Sequence, residues 1–116
     1  MMQLDHKKEG KLARENFRSA FMSDTKWRKL FNAIEGQDIQ QMNVKFIDVP
    51  EPRTMNFPPW LDCHYAYMDS IEFGPVELRS IEWLELPMDI EPLVSSLGKF
   101  PLERTETGTR IIGYKA

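Results

Sequence analysis

Apolar residues recur along this chain first at helical spacing and then at strand spacing. Leu12, Phe17, Ala20 and Phe21 fall on one face of a helix predicted over residues 11–22, with Lys11, Arg14, Glu15 and Arg18 on the other. Ser23-Asp24-Thr25 interrupts that pattern and offers a side-chain oxygen to cap a second helix. There Trp27, Leu30, Phe31 and Ile34 stand at i, i+3, i+4 and i+7, and Gly36 provides the stop. Residues 42–49 alternate instead, which predicts a half-buried strand with Met42, Val44 and Phe46 inward. Pro50-Glu51-Pro52 ends it, and the proline-rich stretch to Pro58-Pro59-Trp60 is predicted as a partly extended loop.

Residues 63–73 read as one or two strands, with Cys63, Tyr65 and Tyr67 on one face and His64, Ala66 and Met68 on the other. Gly74-Pro75 makes a turn, and residues 78–86 form a further strand with an irregularity near Trp83-Leu84. After Pro87, Asp89 caps a short helix in which Ile90, Leu93, Val94 and Leu97 repeat the helical spacing up to Gly98. Pro92 fits its first turn, where the missing N–H loses no helix bond. Residues 109–114 supply the last strand. Short connections favour antiparallel pairing. The expected fold is α+β: an antiparallel sheet of four or five strands with two N-terminal helices and one short C-terminal helix packed on it. Residues 1–116 are expected to form a single domain, with residues 1–10 disordered.

Composition supports a globular class. Of the 116 residues, 41% are hydrophobic and 28% charged, too apolar for a disordered chain. No apolar run approaches the roughly 18–20 residues that a membrane helix needs. The charged N-terminus has no apolar segment behind it to act as a secretory signal. The single cysteine, Cys63, excludes an intramolecular disulfide. The expected compartment is the cytoplasm.

Charge changes the picture more. Between Asp48 and Glu91 lie ten carboxylates and two arginines, eight net negative charges, whereas the whole chain carries −3. Trp60, Tyr65, Tyr67, Phe73 and Trp83 share that stretch. An acidic and aromatic centre points to a surface for a basic protein partner, unless its carboxylates pair with the protein's own basic segments.

A Gly74-Pro75 turn leads into the strand Ile81-Glu82-Trp83, and the chain closes with Arg110-Ile111-Ile112-Gly113-Tyr114. With Thr25-Lys26-Trp27-Arg28-Lys29-Leu30, and with Leu93, Leu97-Gly98 and Phe100-Pro101, these runs resemble a family of small bacterial proteins. The resemblance spans most of residues 25–114. It implies a bacterial cytosolic α+β domain with no assigned activity, and it supplies no catalytic residue.

The residues themselves support no catalytic set. Cys63 and His64 are adjacent, and neighbours on a strand point to opposite faces, so they make a poor nucleophile–base pair. His6 and His64 have no metal-ligand spacing, and an Asp62–His64 pair with Asp69 or Glu72 is a weak match. Glu82 and Glu85 could in principle serve as acid and base, but paired carboxylates are common in acidic proteins. There is no glycine-rich phosphate loop, and a sequence pI of 5.4 argues against a dedicated nucleic-acid binder. No cofactor and no metal are expected.

The reading that follows is a non-enzymatic bacterial protein-binding module, of which an immunity-type inhibitor of a toxin domain is the sharpest form. Trp60, after two prolines in a loop, is either a lid over the core or the anchor for that partner; on the second reading Tyr67 is an amphipathic contact and Asp62, Asp69, Glu72 and Glu77 are the charged rim. The alternatives are a small enzyme or ligand-binding domain with a cleft around Asp62 and His64, and a structural homo-oligomeric module.

Overall fold

The computed structural model describes residues 19–62 and 64–115. Strand β1 (Ser19–Ala20) precedes helix α1 (Asp24–Ile34). Ser23 stands in extended backbone at the helix entrance, and its Oγ accepts from the Lys26 N–H, so the cap lies where the sequence placed it. Trp27, Leu30, Phe31 and Ile34 are all buried, as their spacing requires.

The strands that follow are β2 (Gln41–Phe46), β3 (Arg53–Asn56), β4 (Tyr67–Met68), β5 (Val76–Glu77) and β6 (Ile81–Leu86), with a 3₁₀ turn at Leu78–Ser80 leading into β6. A short helix α2 (Glu91–Val94) runs on into a 3₁₀ turn at Ser95–Leu97. The chain closes with β7 (Leu102–Arg104), β8 (Thr109–Ile112) and β9 (Tyr114–Lys115). The main sheet has five antiparallel strands in the order β3-β2-β6-β8-β7. Two small ladders, β1 with β9 and β4 with β5, flank it.

Alternation along the strands separates the sheet's faces. Met42, Val44 and Phe46 of β2, Met55 of β3, Leu84 and Leu86 of β6 and Ile111 of β8 point into one core with the α1 stripe. Ile90 and Val94 close that core from α2. Between Lys45 and Phe46 the β2–β6 register slips, so Lys45 faces Trp83 and Phe46 faces Ile81, with Glu82 the extra residue of a bulge. The irregularity expected near Trp83-Leu84 thus lies one residue earlier. Gly113, which separates β8 from β9, has a packing role: a Cβ there would stand 2.2 Å from the Ile81 carbonyl oxygen.

Several expectations are corrected. The helix predicted over 11–22 does not reach residues 19–20, because Ser19 and Ala20 pair with Lys115 and Tyr114 as a strand, tertiary pairing overriding a local pattern; its earlier part lies outside the described residues, as do residues 1–10. The strand predicted over 42–49 stops at Phe46, where a turn closes with the Val49 N–H donating to the Phe46 carbonyl. The proline-rich stretch predicted as a loop contains β3, which fits between Pro52 and Pro58 because an edge strand tolerates flanking prolines. Residues 64–73 are mostly turns, with only Tyr67–Met68 in a strand. Among the described residues no helix is long and apolar enough to cross a membrane.

Candidate functional site

The sheet's second face, opposite the core, is polar and read directly from the register. Thr54, Asn43, Glu85, Arg110 and Glu103 are consecutive cross-strand neighbours, forming one row across all five strands. Thr54 Oγ1 donates to Asn43 Oδ1 at 2.9 Å, and Arg110 meets Glu85 at 3.2 Å while its guanidinium lies 3.9 Å from the Trp83 ring centroid. Lys45 binds Glu82 at 3.2 Å, Lys115 binds Glu103 at 2.7 Å and Arg104 binds Asp89 at 2.9 Å. Here Glu82, Glu85, Asp89 and Glu103 each meet a base, the first two across paired strands.

The excursion between β3 and β5 is built differently. Its start is tied to the sheet edge, since the Asn56 N–H, which points away from β2, donates to Glu72 Oε2 at 3.1 Å. After a cis Phe57–Pro58 bond, Trp60 and Asp69 form an isolated antiparallel bridge, each N–H donating to the other's carbonyl at 2.9 Å. Residues 61–62 and 64–68 lie in the loop that the bridge closes. Arg28 of α1 holds the loop from beneath, donating to the carbonyls of Leu61 at 2.9 Å and Tyr65 at 3.2 Å, with its guanidinium 4.9 Å from the Tyr65 ring centroid. Thr25 Oγ1 is hydrogen-bonded to the Tyr65 hydroxyl. Ser70 Oγ accepts from the Phe73 N–H, and Gly74, at φ 69°, turns the chain back toward β5.

This scaffold holds large apolar side chains out in solvent. Trp60 is 56% exposed, Tyr65 54% and Ile71 78%. Asp62 and Glu72 are exposed beside them, while Asp69 and Tyr67 are half-buried. Among the described residues Asp62, Asp69 and Glu72 form no ion pair, in contrast to the carboxylates of the sheet face. Five of the six predicted contact residues therefore gather on one excursion, two of them as partners in the Trp60–Asp69 bridge.

Glu77 is the exception. It lies in β5 opposite Tyr67 with its side chain fully buried and Oε2 3.8 Å from Arg79 Nε, so it cannot belong to an exposed rim. A buried carboxylate is tolerated only with charged or hydrogen-bonding company, and its role here is internal. Sequence reasoning missed Arg28, Tyr65 and Ile71. Exposed apolar side chains in a turn-rich segment carry no periodic signal, and Arg28 acts only through tertiary contacts.

Cys63 lies outside the described residues. His64 is exposed, with Nδ1 accepting from the Ala66 N–H and its ring edge-on to Tyr67 at 5.4 Å. One imidazole nitrogen is thus engaged in shaping the loop. Among the described residues no group of three or more His, Cys, Asp or Glu is placed to hold a metal ion. A small crevice of about 140 Å³ lies between the last turn of α1 and residues 58–62. A broader groove of about 380 Å³ runs along the polar sheet face by Gln41, Asn43, Thr54 and Glu85.

No curated protein and no solved structure matches the chain. A family model does match, over residues 10–99; it starts ahead of the segment whose motifs suggested a family and stops before the closing Arg110–Tyr114 run. On that match, which covers most of its length, the chain belongs to DUF6678, a family of unknown function.

Proposed function

We propose that this chain is a non-enzymatic, cytoplasmic bacterial protein-binding module whose contact surface is the excursion from Trp60 to Glu72. One observation carries the reading: three large apolar side chains, Trp60, Tyr65 and Ile71, stand exposed on a segment that Arg28, Thr25 and the Trp60–Asp69 bridge hold in place. Holding such side chains out in water gains nothing for folding, and a preorganised aromatic anchor is what a binding hot spot requires. Asp62, Asp69 and Glu72 around them carry no ion pair among the described residues, so the fitting partner presents a basic surface. A toxin domain with a basic, nucleic-acid-directed cleft is the sharpest form of that partner, which makes the chain an immunity-type inhibitor.

The test is affinity capture from the native bacterium with wild-type chain and with a Trp60→Ala/Tyr65→Ala/Ile71→Ser variant, followed by mass spectrometry. A basic protein retained by the wild type, lost by the variant and associating more slowly as salt rises is the expected result. A partner retained equally by both chains would remove the excursion from the interface.

A further inference from the structure

The crevice beside Trp60 has the size and electrostatics of a slot for one cationic side chain. Its volume of about 140 Å³ lies well below the roughly 300–1,000 Å³ of small-molecule sites, so it admits a side chain rather than a free ligand of ordinary size. One wall is Pro58, Pro59 and Trp60; the other is the last turn of α1, with Asn32 and Glu35. Asp62 closes the rim, so two exposed carboxylates flank an aromatic wall.

The helix adds a third negative contribution. α1 ends at Ile34 with Glu35 as its C-cap, and no basic residue lies in its last turn. The negative end of the helix dipole lies at the crevice, and no lysine or arginine among the described residues lines it. The Arg28 guanidinium meets the carbonyl of Leu61, one of the residues around the crevice, and that of Tyr65; it is not itself part of the crevice lining, and the two carboxylates outnumber it.

We propose that the crevice between the last turn of α1 and residues 58–62 receives a single arginine side chain of the protein partner. This rests on the partner-binding reading above and names what that partner must bring. Arginine fits better than lysine because its planar guanidinium stacks on an indole face while its donors reach carboxylates on either side. Glu35 and Asp62 supply those acceptors, and the Asn32 side-chain oxygen is a third.

The experiment is a ¹H–¹⁵N NMR titration of the full chain with acetyl-Gly-Arg-Gly-amide and with its lysine and citrulline counterparts. It is run on the wild type and on a Glu35→Gln/Asp62→Asn variant, whose two substituted side chains are exposed and whose fold is checked by spectral dispersion. Saturable shifts at the Trp60 indole N–H and the Asn32 side-chain amide are expected, with about fivefold preference for arginine over citrulline, lost in the variant. Equal binding of arginine and citrulline, equal binding of lysine, or no saturable shift at Trp60 would overturn the proposal. Affinity capture with a Tyr65→Ala/Ile71→Ser variant, which leaves the crevice untouched, separates the two readings. A partner that depends on Tyr65 and Ile71 while the titration is null removes the slot alone; loss of both signals removes both.

Discussion

The polar sheet face and the Trp60 excursion draw on the same acidic stretch of sequence and use it in opposite ways. On the sheet, Glu82 and Glu85 meet Lys45 and Arg110, and Trp83 is covered by the Arg110 guanidinium. On the excursion, Asp62, Asp69 and Glu72 have no ion pair among the described residues, and Trp60 and Tyr65 face solvent. Strand register explains the difference. Directly opposed residues on one sheet face are close enough to pair, so alternating acids and bases on neighbouring strands neutralise each other. The excursion, closed by a single bridge, offers no such ladder of opposed side chains, and the base beside it, Arg28, is engaged by backbone carbonyls instead. Acidic composition therefore does not by itself tell which carboxylates are neutralised; strand register decides it.

Substitutions can break or sharpen this contrast. The largest effect is expected where the sheet meets the core. Leu84 is fully buried and pairs with Val44 and Ile111, so Leu84→Ala should lower unfolding free energy by about 3 kcal/mol in a denaturant titration. Next comes Trp60→Ala, which should weaken the captured complex by about 2 kcal/mol in calorimetry. The same change should leave the free chain's stability within about 1 kcal/mol, because its ladder bonds are backbone bonds. If Trp60→Ala instead unfolds the chain, the side chain is a lid over the core and the contrast fails.

Arg28→Ala removes the two guanidinium bonds to the loop and should cost about 1 kcal/mol. Its signature is local: faster amide exchange at Tyr67 and Asp69, with β2 and β8 unchanged. Uniformly faster exchange would show that Arg28 supports the whole fold rather than the loop. The smallest effect belongs to the sheet face, where Glu85→Gln should change stability by about 0.5 kcal/mol and leave partner affinity unaltered.

The fold was legible where one local pattern dominates. The α1 stripe and its Ser23 cap, the alternation of β2 and the Gly74 turn all follow from spacing and residue type. Strands β3 and β7 were not legible, since four and three residues beside prolines give too short a pattern to separate strand from loop. The alternation over residues 63–73 misled in the other direction: it read as one or two strands, yet residues 64–66 and 70–73 lie outside any strand. At the candidate site, the position of Trp60 after two prolines left a lid over the core and an exposed anchor equally open, and only the folded chain shows the side chain 56% exposed. Glu77 was misplaced because β5 is two residues long and nothing local shows which way it faces. Arg28 acts across more than thirty residues of sequence and leaves no local trace.

The most direct test is hydrogen–deuterium exchange of the chain alone and bound to its captured partner. New protection is expected only at residues 60–72 and the last turn of α1, with the row from Thr54 through Asn43, Glu85 and Arg110 to Glu103 unchanged. Protection across that row, with the Trp60 excursion exchanging as before, would contradict it.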